Sequence, residues 1–143
     1  MLQLTSTITE NATIEIGLRD IEVPKPGADE VLIEVQASPI NPSDLGTLVG
    51  AGDLTSIRVE GEGDQTKVIM DIPESVMWAM KPRIGKPLPV GNEGSGIVSE
   101  AGENAKHLIG KVVSAVGGGM YAQYRVLPAM ACIEMPDGIE PKD

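Results

Sequence analysis

Between Pro89 and Gly102 the chain reads Pro-Val-Gly-Asn-Glu-Gly-Ser-Gly-Ile-Val-Ser-Glu-Ala-Gly, and few folds accommodate such a run. Gly91, Gly94 and Gly96 surround one carboxylate, Glu93, and lead into the apolar pair Ile97 and Val98. Glycine tolerates positive φ and lets a neighbouring backbone or a ligand approach where a Cβ would not fit. The stretch is therefore a backbone-limited turn that feeds a strand. Upstream, Ala37-Ser-Pro-Ile-Asn-Pro-Ser-Asp-Leu45 reads as a helix start. Pro42 sits near the first helical position, with Ser43 and Asp44 suited to the first turn. The two segments are expected to form two walls of one site.

The rest of the chain punctuates short strands with turns. Residues 13–23 alternate apolar and polar side chains, and Pro24-Lys-Pro-Gly27 ends them. Further strands are expected at 31–37, 94–100, 111–116, 121–127 and 132–135. Residues 53–59 and 66–71 are expected to pair as a hairpin across Gly61-Glu-Gly-Asp64. Residues 73–80 read as a short helix that Pro82 stops. Strands of this length with Gly and Pro turns predict a mainly β fold, a small barrel or sandwich.

Composition narrows the class. A chain of 143 residues is one domain, able to bury about two-thirds of its unfolded surface. Phe is absent and aromatics make up 2%, so Val, Ile, Leu and the seven Met must fill the core, with adaptable packing. The net charge of −10 repels a polyanion and no basic stripe offsets it, so nucleic acid is not an expected partner. Cys132 is the sole cysteine, which excludes an internal disulfide and a four-thiolate zinc lobe. Its apolar neighbours predict a buried structural thiol. The N-terminus lacks the cationic start and apolar core of a signal peptide, and no apolar run reaches the ~20 residues of a membrane span. The expected address is cytoplasmic, with no membrane partner.

Several motifs in order carry a resemblance. They are Gly27-Ala-Asp-Glu-Val-Leu-Ile-Glu-Val35, Pro39-Ile-Asn-Pro-Ser-Asp44, Val90-Gly-Asn-Glu-Gly-Ser-Gly-Ile-Val98, Ile109-Gly-Lys-Val-Val113, Met120-Tyr-Ala-Gln-Tyr-Arg-Val-Leu-Pro-Ala129 and Met135-Pro-Asp-Gly138. The chain resembles the N-terminal, GroES-like domain of the medium-chain dehydrogenase/reductase superfamily. The likeness is to its zinc-independent quinone oxidoreductase and enoyl reductase branches. It implies a GroES-like partly open β-barrel with a few short helices over residues 1–143. Residues from about 50 to 88 stand as a long insertion relative to short-form members. That insertion is expected either to extend the barrel edge or to form a flap over the cleft.

In that family a nucleotide-binding Rossmann domain follows, and this chain ends at about the point where it would begin. The resemblance therefore implies a truncated, substrate-domain portion, inactive alone and without bound cofactor. Gly117-Gly-Gly119 lacks the strand–turn–helix setting of a dinucleotide fingerprint and reads as a tight turn. Zinc-dependent relatives carry a thiolate and an imidazole where this chain has Asn41 and Asn92. His107, the only histidine, reads as a surface turn residue, so no metal is expected.

The implied chemistry is hydride delivery from NADPH to a quinone or a conjugated enone carbonyl. Charge then builds on an oxygen that hydrogen-bond donors must stabilise. By resemblance Asn41 faces the nicotinamide and the substrate, and Ser43 adds a hydroxyl. Asn41 reads equally as an Asx-type cap, and both roles stay open. Asp44, Gly91, Glu93 and Gly94 are read as structural, the carboxylates accepting backbone N–H groups. Tyr121 and Tyr124 are expected on opposite faces of one strand, in core packing. The absence of a tyrosine between Leu45 and Gly91 favours quinone reduction over enoyl reduction. The other reading is a stand-alone GroES-like interaction module, or one subunit of a split enzyme that meets a separate cofactor subunit.

Overall fold

The computed structural model describes residues 1–142. Two antiparallel five-stranded sheets make up the molecule. In the first, β1 (Leu2–Ile8) forms a hairpin with β2 (Thr13–Asp20), in register from Leu2 opposite Asp20 to Ile8 opposite Ile14. In the second, β3 (Glu30–Ala37) lies at the heart of the sheet. After α1 (Pro42–Leu48) the chain returns to the first sheet, where β4 (Arg58–Glu60) pairs with β5 (Lys67–Asp71), and β5 with β2. Helix α2 (Glu74–Met80) follows, then the short β6 (Leu88–Pro89) on the far side of β1. The second sheet is completed by β7 (Glu93–Ala101), β8 (Val112–Val116), β9 (Tyr124–Pro128) and β10 (Cys132–Glu134). Its order is β10-β8-β7-β3-β9, and that of the first sheet is β4-β5-β2-β1-β6. A bridge between Gln3 and Ala122, with Leu4 N–H donating to the Tyr121 carbonyl at 2.8 Å, ties the sheets together at one end. The expected mainly β, partly open barrel is what forms.

Alternation sets the two cores. Along β7 the buried positions are Gly94, Gly96 and Val98, every second residue, as a half-buried strand requires. Val98 joins Val31, Ile33, Val113, Ala115, Met120 and Leu127 in the core of the second sheet. Gly96 is fixed by contact, because a Cβ there would lie 2.1 Å from the Glu34 carbonyl oxygen where β3 bulges against β7. The first sheet packs Ile8, Ile14, Met70 and Ile72 under α2, with Val76, Met77, Met80 and Ile84 half-buried around them.

Several sequence expectations need correction. Residues 2–8 form β1, a central strand that had no place in the expected set, although Gln3, Thr5 and Thr7 alternate with Leu4, Ser6 and Ile8. Strand β9 starts at Tyr124, so Tyr121 precedes it and the two tyrosines do not share a strand. Its backbone N–H is instead drawn to Val90 O at 3.0 Å. The hairpin at 53–71 is real but short, since 3-10 turns at Leu54–Ser56 and Gly63–Gln65 take up most of its first arm and its loop. Helix α2 ends at Met80, two residues before Pro82, as expected. Pro82 sits in a 3-10 turn, Lys81–Arg83, that continues from the helix. Cys132 is half-buried rather than buried, packed against the second core, and burial pushes its thiol pKa up. Between residues 50 and 88 the chain supplies β4 and β5 to one edge of the first sheet and α2 to its core.

Candidate functional site

The site lies where the loop after β3 meets the turn before β7. Asp44, in the first turn of α1, is 1% exposed and is its organising group. One carboxylate oxygen accepts the Asn41 N–H at 2.8 Å, closing the helix start, and the other accepts the Asn92 N–H at 2.9 Å. A single buried side chain thus fastens both segments singled out in the sequence. The Asn41 N–H holds the Asp44 carboxyl below its usual range, with burial opposing and Tyr121 and the Asn92 N–H adding to the depression.

Side chains cross the same gap. Asn41 Nδ2 donates to Glu93 Oε1 at 2.6 Å, and Asn92 Nδ2 donates to Ser43 Oγ at 2.8 Å. Ser38 Oγ donates to the Glu93 carbonyl at 2.5 Å. The Tyr121 hydroxyl donates to Pro39 O at 2.9 Å. Burial, and then the neighbouring Asp44 carboxylate, push the Tyr121 phenol pKa up, so it is neutral at physiological pH. The Tyr121 ring also packs on Gly91, whose φ is +92°. A Cβ at Gly91 would meet Tyr121 Cδ1 at 2.6 Å and its backbone N at 2.7 Å.

Each expected site residue therefore has a place. Asn41 and Ser43 lie on the α1 side, with Gly91, Glu93 and Gly94 on the β7 side and Asp44 between them. Asp44 does accept backbone N–H groups, as expected. Glu93 differs, since its side chain takes the amide of Asn41 rather than a backbone donor. Asn41 occupies the N-cap position, and its amide nitrogen points to Glu93. Tyr121 and Asn92 are partners that the sequence reading left out of the site. The signal for Tyr121 was its place straight after a glycine triplet and Met120, and that for Asn92 its place between Gly91 and Glu93.

Gly117–Gly119 forms a turn, as expected. The N–H groups of Gly117 and Gly118 both point at Asn92 O at 3.2 Å, and no helix follows. The turn thus does not fit a cofactor pyrophosphate, which needs free N–H groups at a helix start. Metal donors do not gather either: among the described residues no three of His, Cys, Asp and Glu cluster. His107 is exposed in a 3-10 turn, Glu103–Leu108. Beside the Asn41–Glu93 pair an open cleft of about 530 Å³ is lined by Ser38, Pro39, Glu93, Ser95, Ser114 and Lys142. No residue from 50–88 lines it.

Residues 27–137 match the alcohol dehydrogenase GroES-like domain. The chain belongs to that family. Solved structures with this fold include a putative NADPH:quinone reductase from Mesorhizobium loti, 26% identical, with a TM-score of 0.61 over 99% of this chain and 38% of that one. Escherichia coli quinone oxidoreductase, solved with NADPH, is 16% identical with a TM-score of 0.63 over 99% of this chain and 35% of its own. The CurK enoyl reductase is 17% identical with a TM-score of 0.66, over 99% and 37%. The chain thus spans a little over a third of these proteins' length. No curated protein matches it. No helix among the described residues is long and apolar enough to cross a membrane.

Proposed function

We propose that this chain is the substrate-binding portion of a zinc-independent, NADPH-dependent reductase acting on quinones or conjugated carbonyls, inactive without a nucleotide-binding partner domain. The observation that carries this reading is the Asn41–Glu93 pair, positioned by Asp44 beside an open cleft. NADPH, held on a nucleotide-binding domain or on a partner subunit, would supply the hydride.

The role of this chain's residues follows from hydrogen-bond inventory. Asn41 Nδ2 carries two protons, and Glu93 takes one. The carboxylate acceptor orients the amide and leaves the remaining N–H to donate to an oxygen that gains charge. Ser43 Oγ accepts from Asn92, which leaves its own proton for a further acceptor. Asp44 is a positioning residue, since both its oxygens are spent on backbone N–H groups. The zinc-free reading follows from donor chemistry, because neutral amides stand at 41 and 92 and both are engaged with side chains of this chain. A cytoplasmic address and the standing of 50–88 as an insertion belong to this same proposal.

Titrating the 143-residue chain into NADPH and following the nicotinamide fluorescence tests the division of labour. The expected result is no saturable binding in the micromolar range, and tight binding would sink the proposal.

A second reading, a stand-alone interaction module or a subunit of a split enzyme, draws on exposed apolar side chains on the second sheet and on the turn between β9 and β10. Val116 is 65% exposed, Ile133 70% and Met130 94%. Reading the encoding transcript past codon 143 separates the two. An in-frame strand, glycine-rich turn and helix support the reductase portion, and a stop codon supports the module.

A further inference from the structure

The chain is acidic almost everywhere, with 21 acidic and 11 basic residues, yet residues 75–92 hold Lys81, Arg83 and Lys86 and no Asp or Glu. Within that window Arg83 is half-buried and has no carboxylate partner. Its Nη2 donates to Ser6 Oγ at 3.2 Å and to Ser6 O at 3.4 Å, both neutral acceptors. Nε is shielded from solvent with no acceptor at all, and Nη1 makes no hydrogen bond among the described residues. Lys81 and Lys86 flank it, and none of the three joins an ion pair among the described residues.

This is an unusual arrangement for a guanidinium. A cation withdrawn from water is normally matched by an anion, because desolvation is costly without one. Arg83 shows that cost uncompensated, since burial lowers its pKa and no neighbouring acid restores it. Acids are plentiful in the chain, and among the described residues none pairs with Arg83. We infer that Arg83, with Lys81 and Lys86, forms a binding site for a small oxyanion carried on a phosphate- or carboxylate-bearing ligand. Arg83 Nη1, left free by the Ser6 contacts, can donate to either group, and the two lysines favour a dianion.

Ser6 lies two residues along β1 from Leu4, whose N–H meets the Tyr121 carbonyl, and β-strand rise makes that separation roughly 7 Å. The inference does not depend on reductase chemistry. The plain alternative is that Arg83 only staples its turn to β1, which would leave no preference for anions.

Calorimetric titration of the 143-residue chain at constant ionic strength decides, with pyrophosphate as one probe and succinate as the other. The expected result is saturable one-to-one binding of at least one probe. Arg83→Gln weakens it by roughly tenfold or more. Lys81→Gln with Lys86→Gln weakens it about threefold. Binding of pyrophosphate alone marks a phosphate ligand, and equal binding of succinate marks a carboxylate one. Circular dichroism confirms that Arg83→Gln folds. If it does not, the double lysine variant, changed only at exposed positions, stands in its place. No saturable binding of either probe, or affinities untouched by these substitutions, overturns the site.

Discussion

The two sheets are built to different tolerances. In the second, nine buried residues close around β3 and β7, and a glycine at 96 lets the two strands touch backbone to backbone. In the first, the apolar cluster under α2 has four buried members, Ile8, Ile14, Met70 and Ile72, and half-buried Ile16, Val49, Val76, Met77, Met80 and Ile84 pack against it. Its outer strand β4 is exposed at every position. Three of the surrounding residues are methionines or lie next to one, and methionine fills irregular space without specifying it. The candidate site is mounted on the tightly built side, at the entry to β7. A hydrogen-bond donor must be held to a fraction of an ångström to favour a transition state, so this division suits a catalytic frame joined to a wall that varies.

Glycine substitutions give the sharpest contrast. Gly91→Ala places a Cβ against Tyr121 at a φ of +92° and is expected to destabilise by roughly 3 kcal/mol. Gly63→Ala, at φ +56° with open space around it in the first sheet's hairpin, should cost about 1 kcal/mol. Chemical denaturation of both variants checks this, and equal losses would erase the distinction between the regions.

Acid should reach the site through Asp44. Its folded-state pKa is depressed, so the stabilisation is complete above the ordinary aspartate value near ~4 and is lost as pH falls through the lower folded value. Asp44→Asn is expected to weaken the fold at neutral pH and to flatten the acid limb of stability. An acid limb unchanged in the variant would place the linkage elsewhere.

The smallest expected effect lies in the first sheet's core. Met70→Leu, fully buried but among adaptable neighbours, should cost under about 1 kcal/mol. A larger loss would show that this core is as exacting as its counterpart.

What the sequence disclosed follows the same division. The glycine spacing at 91–96 and the Pro42-Ser43-Asp44 helix start are backbone constraints, and such constraints are written locally. They point to the two segments that carry Asn41, Asp44 and Glu93 as walls of one site. Strand β1 was harder to see because Gln3, Thr5 and Ser6 are polar yet buried, so no apolar stripe marks it. Tyr121 was misassigned to a strand because β-propensity could not register that Gly91 and Val90 would claim it. The Asn92–Ser43 and Asn41–Glu93 contacts join residues far apart in the chain, which only the closed fold brings together.

NADPH oxidation by the protein at its natural length, with a benzoquinone acceptor, tests the account most directly when run beside the 143-residue chain and an Asn41→Ala variant. The account predicts turnover by the natural-length protein, none by the 143-residue chain, and a kcat/KM lower by roughly a hundredfold in Asn41→Ala. Turnover by the 143-residue chain alone, or an Asn41→Ala protein as active as the unaltered one, would contradict it.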